Sequence, residues 1–141
     1  MKKLIALMAA IALIVAVAPL AASGQNPFYD VSLDDWFVEY VEFAVAEGLL
    51  NGVSDTDFVP NAPATRAVFV VALWRLAGSP IPETNRNLGW SDVSEEDWFF
   101  DALLWAGRND IFRGIGSAFG GNSQITRAEM AAVVVRLANG K

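Results

Sequence analysis

The stretch Thr126-Arg127-Ala128-Glu129 has a near copy upstream, Thr65-Arg66-Ala67-Val68, and each copy opens a long apolar run. Threonine in this place is typical of a helix N-cap, because its hydroxyl can accept a hydrogen bond from one of the first unpaired backbone N–H groups. Glu129 follows three residues after the threonine and completes a capping box, whereas Val68 removes that half of the box from the first copy. The two stretches therefore predict two helices that begin in the same way.

The arginine in each copy, Arg66 or Arg127, falls at the first helical position. A cation is mildly unfavourable there, because it lies at the positive end of the helix dipole. Its presence in both copies indicates an anion: a carboxylate or phosphate would meet backbone N–H groups and the guanidinium together. The alternative is an internal salt bridge to a neighbouring Asp, and the two are not mutually exclusive.

The beginning of the chain, residues 1–24, predicts a secretory signal peptide. Lys2-Lys3 is a short basic segment, Leu4–Val17 is uninterruptedly apolar, and small residues follow up to a cleavage point at 22–24. The apolar run is short for a membrane span of about 20 residues, so a permanent anchor is the weaker alternative. We expect an exported protein with no membrane span once the signal is removed.

Composition excludes several functions. The full chain has 10 Lys and Arg against 16 Asp and Glu, a net charge of −6, and loss of Lys2 and Lys3 with the signal lowers it to −8. Such a protein is a poor candidate for binding nucleic acid or anionic membrane. There is no Cys and no His, so disulfides and the commonest general base are absent. Asp55 and Asp57 raise calcium as an alternative, but the other ligands of a calcium loop are missing, and we predict no metal or cofactor.

The exported part consists of two repeats, 28–78 and 90–139, joined by a stiff polar linker, 79–89. An offset of 62 residues superimposes the first half of each repeat, and an offset of 61 superimposes the second half. A long period of this kind indicates a repeated supersecondary unit. The matched pairs are Asp30 and Asp92, Trp36 and Trp98, Ala44 and Ala106, Gly52 and Gly114, Phe58 and Phe119, Asn61 and Asn122, and Arg66 and Arg127.

Each repeat is predicted to be helix, loop, helix, which makes the protein all-α. Ser32 and Ser94, each followed three residues later by Asp, predict the starts of the first helices, and the Trp-Phe pairs fall on their apolar faces. Gly48 suits a left-handed stop after the first helix, and we expect its counterpart Asp110 to close the turn differently. The loop phenylalanines, Phe58 among them, are expected to fill the core.

These motifs together resemble the surface-layer homology (SLH) domain. The pattern is aromatic-x-Asp-Val, then Trp-aromatic, then Gly, then Phe-x-Pro-Asn, and then Thr-Arg-Ala-Glu before an apolar helix. It occurs as Phe28-Tyr29-Asp30-Val31, Trp36-Phe37, Gly52, Phe58-Val59-Pro60-Asn61 and Thr65-Arg66-Ala67, and again as Trp90-Ser91-Asp92-Val93, Trp98-Phe99, Gly114, Phe119-Gly120-Gly121-Asn122 and Thr126-Arg127-Ala128-Glu129. The combination covers nearly the whole exported part.

The resemblance implies a non-enzymatic anchor on the bacterial cell wall. Family members typically carry three units in a three-pronged bundle and bind a secondary cell-wall polysaccharide, often pyruvylated, in grooves between adjacent units. For the Trp residues core packing is an alternative to sugar stacking, and the Asp residues could instead cap the first helices. The ligand-binding positions carried over are Arg66, Arg127, Trp36, Trp98, Asp30 and Asp92.

The departures from the family pattern suggest a second function. Only two units are visible, Val68 replaces the motif Glu, and Gly121 replaces the motif Pro. Uncovered apolar flanks would favour self-association or pairing with SLH units of another chain, as in an assembly or adaptor module. An enzyme is the third class. The acidic runs at 34–35 and 95–97 are expected at helix starts for dipole reasons alone, and nothing indicates the facing carboxyls of a glycosidase.

Overall fold

The computed structural model describes residues 26–81 and 89–139; the predicted signal and residues 82–88 of the predicted linker lie outside this part. Four helices make up the regular secondary structure of the described residues, which contain no strand apart from two isolated bridges. The predicted all-α class is therefore confirmed. The helices are α1 (Val38–Ala46), α2 (Arg66–Leu76), α3 (Phe100–Arg108) and α4 (Arg127–Ala138).

The first helix of each repeat begins later than predicted, because an aspartate closes a turn before it. The backbone N–H of Ser32 donates to Asp35 Oδ2 at 2.7 Å, and the Ser94 N–H donates to Asp97 Oδ2 at the same distance. These serines therefore cap turns and not helices, and the Trp-Phe pairs precede α1 and α3. The prediction that Trp36 lies on a helical face is wrong for this reason.

The second helices begin as predicted. Thr65 Oγ1 accepts a hydrogen bond from the Val68 N–H, and Thr126 Oγ1 accepts one from the Glu129 N–H, both at 3.2 Å. Glu129 Oε2 in turn accepts from the Thr126 N–H at 2.8 Å, which confirms the capping box in the second copy.

The turns that follow α1 and α3 close in the same way, contrary to expectation. Gly48 has a φ of 65° and Asp110 has a φ of 55°. The next residue in each case, Leu49 or Ile111, donates its N–H back to a carbonyl in the last turn of the preceding helix. Aspartate is among the few side chains that tolerate the left-handed region, so it replaces glycine here.

Packing divides the chain between Ala62 and Pro63 into two compact units. In unit 1, the rings of Phe28 and Phe58 pack 5.3 Å apart in a small core. In unit 2, Phe119 is fully buried and α2 packs on α3, which confirms that the loop phenylalanines enter the cores. The second helix of the first repeat thus packs in unit 2, so the packing units are offset from the sequence repeats; the repeat boundaries remain predictions.

In each repeat, one glycine packs against the aromatic residue that opens the repeat. A Cβ added to Gly52 would lie 2.4 Å from Phe28 Cε1, and one added to Gly114 would lie 2.2 Å from Trp90 Nε1. No side chain fits at such distances, so the motif glycines are required by close packing and not by an unusual backbone conformation.

We expect Gly114→Ala to lower the free energy of unfolding by about 1–3 kcal/mol, the usual cost of overpacking. Chemical denaturation would measure it. In a Trp90→Ala background the cost should shrink without vanishing, because the added Cβ still lies 2.6 Å from the Ala118 carbonyl oxygen. An equal cost in both backgrounds would contradict the role assigned to the indole.

Candidate functional site

The motif aspartates hold a loop by its backbone. Asp92 Oδ1 accepts a hydrogen bond from the Phe119 N–H at 2.6 Å, and its Oδ2 accepts from the Gly120 N–H at 2.8 Å. Asp30 binds the N–H groups of residues 58–59 in the same way, at 2.9 and 2.6 Å. The backbone donors hold the pKa of both carboxyl groups below the ordinary range. Neither side chain caps α1 or α3, so that alternative is wrong.

The motif tryptophans lie on the surface. Trp98 is 64% exposed and Trp36 is 84% exposed, which excludes core packing for both. Each indole stands edge-on to the ring of the next residue; the Trp98 and Phe99 centroids are 5.6 Å apart at 88°. Phe99 is buried, so it supports the exposed indole from below.

Beside Trp98 lies a cavity of about 430 Å³. Its polar lining residues include Asp97, Asn122 and Ser123. Gly121, another lining residue, packs closely on Phe99, because a Cβ added to it would lie 2.9 Å from that ring. The exposed indole can stack on the apolar face of a ligand ring. The neighbouring carboxylate, amide and hydroxyl can form hydrogen bonds with the polar substituents of that ring. The lining residues are Asp92, Asp97, Trp98, Phe99, Gly120, Gly121, Asn122 and Ser123.

Three of these lining residues, Asp97, Asn122 and Ser123, are absent from the predicted site. The repeat did carry a signal for two of them, because Asp97 and Asn122 match Asp35 and Asn61 at the repeat offsets. Ser123 has no such match.

Arg66 is buried within unit 2, with a relative exposure of 2%. Its Nε donates to the Phe119 carbonyl and one Nη to the Arg113 carbonyl, both at 2.8 Å, and the other Nη forms an ion pair with Glu129. The guanidinium carbon lies 5.1 Å from the ring centroids of Phe112 and Phe119. Burial lowers the pKa of Arg66, and the charge of Glu129 offsets part of this effect.

The first backbone N–H groups of α2 are also occupied by acceptors within the chain. The Arg66 N–H donates to the Ser123 carbonyl at 2.9 Å and the Ala67 N–H donates to the Gly121 carbonyl at 3.0 Å. For Arg66 the structure therefore shows the internal ion pair, with a Glu as partner and not the expected Asp. The burial of its guanidinium disfavours the predicted contact between Arg66 and an external ligand.

The start of α4 is open. Arg127 is exposed, and within residues 26–81 and 89–139 no partner contacts its guanidinium. The N–H groups of Arg127 and Ala128 likewise have no acceptor in this part of the chain. The two motif arginines thus share a sequence context and differ in environment.

We expect Arg66→Met to lower the free energy of unfolding by about 3 kcal/mol, because it leaves Glu129 and two carbonyls without their partner. Arg127→Met, the same change at the exposed copy, should stay within about 0.5 kcal/mol. Chemical denaturation of both variants compares them directly, and similar losses would show that Arg66 does not hold unit 2 together.

We expect stability to fall in acid. The pKa values of Asp30, Asp92 and Glu129 are lowered in the folded protein, the last by the Thr126 N–H and hydroxyl. Their contribution is present above the unfolded values and is lost as pH drops from about 5 through the lowered folded values, because the unfolded chain binds more protons there. Denaturation across pH measures the slope, and Asp92→Asn should flatten it; an unchanged slope would contradict the assignment.

The described ranges, which exclude 82–88 and both ends, contain no group of three acidic side chains placed to hold a metal ion. Within the same ranges, no helix combines the length and apolarity that crossing a membrane requires.

Comparison with known proteins places the motifs in a family. The sequence pattern of the S-layer homology domain matches residues 27–67 and 91–131. The chain is 32% identical to an amylopullulanase of Thermoanaerobacterium thermosulfurigenes over 79% of its own length and 6% of that protein. It is 30% identical to a surface-layer 125 kDa protein of Lysinibacillus sphaericus, over 85% of this chain and 10% of the relative. A cell surface protein of Thermoanaerobacter kivui is 27% identical, over 96% and 18%.

The chain spans at most 18% of the length of these three relatives, one of which is named as an enzyme. The similarity to the amylopullulanase covers too little of that protein to carry its activity over. Both matched segments contain the clamping aspartate, the exposed tryptophan and the arginine at the start of the second helix. Because the family pattern covers more than half of the residues, this chain belongs to the S-layer homology domain family.

Proposed function

We propose that this chain is a non-catalytic, exported module that anchors to the bacterial cell wall by binding an anionic secondary wall polysaccharide. The observation that carries the proposal is the open start of α4, where an exposed Arg127 lies beside two backbone N–H groups without acceptors in the described part of the chain. A helix N-terminus with a guanidinium is suited to a carboxylate, such as that of a pyruvate ketal.

The sugar rings of the polymer would contact the cavity beside Trp98. The exposed indole offers a flat apolar face, and Asp97, Asn122 and Ser123 offer polar atoms for hydroxyl groups. Asp92 also lines this cavity; a carboxylate has about four lone-pair sites, and the two hydrogen bonds to the loop leave some for the ligand. In unit 1, Trp36 is likewise exposed and Asp30 holds its loop in the same way.

The proposed location is the cell surface. The predicted signal peptide at 1–24 supports export, and relatives named as surface-layer and cell surface proteins support retention outside the cell. An exported module with an acidic surface depends on a specific cation to bind an acidic polymer, which gives Arg127 its importance.

A second candidate function is an assembly or adaptor module. Much of α4 is uncovered in this structure: Val133 is its only buried residue, and Val134 and Val135 are 49% and 57% exposed. Exposed apolar side chains on one helix favour a protein contact.

Co-sedimentation with purified sacculi tests the anchor. The exported chain should pellet with sacculi that retain their secondary polymer and stay in solution with sacculi stripped of it. Arg127→Ala should weaken pelleting at least about tenfold, the value of one charge-assisted hydrogen bond, and Trp98→Ala should also weaken it.

The matched control is Arg113→Ala, which removes another exposed cation from the same unit and disturbs only a surface pair with Asp110. Loss of pelleting in that variant as well would indicate a general charge effect. Pelleting that survives polymer removal, or no pelleting by the folded chain, would refute the anchor proposal.

A further inference from the structure

One side of α1 in unit 1 is aromatic and exposed. Tyr40 is 69% exposed and Phe43 is 40% exposed, whereas Val41 on the other side of the helix is buried. The indole of Trp36, just before the helix, is also exposed, and its centroid lies 6.5 Å from that of the Tyr40 ring. Ring contact and the spacing of four and three residues make these three side chains one surface, the aromatic stripe of α1.

The aromatic stripe takes no part in the core of unit 1. That core is built on Phe28, Val31 and Val41, and none of the three stripe residues is among the side chains packed around it. Neighbouring apolar side chains left exposed on one face of a helix are typical of a surface that contacts another molecule.

In unit 2 the equivalent side of the first helix is packed. At the repeat offset, Ala102 and Trp105 on α3 are the counterparts of Tyr40 and Phe43. Ala102 is 1% exposed and shares one cluster with residues of α2, Trp105 packs against that cluster, and α2 contacts α3. A helix therefore packs on this side of the motif in unit 2, whereas the same side is exposed in unit 1.

The charges of the chain are divided unequally between the two units. Residues 26–62 contain eight Asp and Glu and no Lys or Arg, whereas residues 63–141 contain eight acidic and eight basic residues. The entire net negative charge of the exported part thus belongs to unit 1.

Two of these acids flank the aromatic stripe. Glu39 adjoins Tyr40, and Glu47 follows Phe43 by four residues, one turn further along the same side. Both are exposed, and neither pairs with a cation of the described ranges. Glu47 lies at the C-terminal end of α1, where the helix dipole disfavours an acid, so helix stability does not account for it. The stripe therefore lies in a negative field that attracts a basic partner.

We propose that the aromatic stripe of α1 is the docking site for a basic amphipathic helix of another protein. Apolar residues of that helix pack on Trp36, Tyr40 and Phe43, and its flanking Lys or Arg side chains pair with Glu39 and Glu47. Charge disfavours a second copy of this chain as the occupant, because unit 1 repels itself and unit 2 carries no net charge. The inference rests on the assembly function proposed above and is independent of the anchoring function.

A designed peptide tests the docking site. The probe is a labelled peptide of about 18 residues, long enough to form a helix alone, with Leu along one face and Lys on both flanks. A control peptide carries Glu in place of Lys. Fluorescence anisotropy with the exported chain should show the Lys peptide binding at least about tenfold more tightly than the Glu peptide, and salt should reduce the difference.

Truncation of the stripe locates the contact. Tyr40→Ala and Phe43→Ala should each weaken binding of the Lys peptide at least about tenfold, as loss of an aromatic anchor does. The matched control is Val53→Ala, which shortens another exposed apolar side chain of unit 1 outside α1 and should leave binding unchanged.

Removal of one charge tests the flanks. Glu47→Gln should weaken binding of the Lys peptide about threefold, the value of an exposed ion pair. Asp55→Asn removes the same charge from a loop of the same unit and should have little effect.

Three outcomes would overturn the proposal. The first is a Lys peptide that binds no more tightly than the Glu peptide, or that loses as much affinity to the control substitutions as to those of the stripe. The second is self-association of the chain alone that Phe43→Ala abolishes, because a second copy would then be the occupant. The third is a loss of pelleting with sacculi in Tyr40→Ala or Phe43→Ala, which would assign the stripe to polymer binding. Failure of the anchor itself would leave peptide binding unchanged.

Discussion

One buried cation organises unit 2. The guanidinium of Arg66 joins the start of α2 to the carbonyls of Phe119 and Arg113 and to the capping residue of α4, Glu129, which lies 63 residues away in the sequence. A charge can be buried in a protein only when its N–H donors find acceptors and a counter-charge lies nearby. The two carbonyls and Glu129 together meet both requirements. The same carboxylate that caps α4 therefore also fixes where α4 begins relative to α2.

The local features of the fold could be predicted from the sequence, but the partners of the motif arginines could not. The repeat, the second-helix caps at Thr65 and Thr126 and the all-α class rest on short-range patterns that the structure confirms. The sequence places the starts of the first helices too early, because an Asp three residues after a Ser can close a turn as readily as it can support a helix start. The partner of Arg66 lies in the next repeat, and no local pattern reveals it.

Burial separates residues that look identical in the sequence. Trp36 and Trp98 resemble core residues because they sit beside a phenylalanine that is at least half-buried, yet each indole stands on the surface, edge-on to that ring. Arg66 and Arg127 open the same motif, but among the described residues only Arg66 has an acidic partner, Glu129.

The aspartate clamp separates the framework of the loop from its recognition surface. Asp30 and Asp92 bind backbone N–H groups, which nearly every residue possesses, so the hydrogen bonds themselves do not select the side chains of the loop. Pro60 and Gly121 already differ at equivalent positions while both loops keep the same two bonds. Substitution can therefore change the side chains presented beside the tryptophan without loosening the loop, which makes this surface a place where ligand preference can diverge on a constant scaffold.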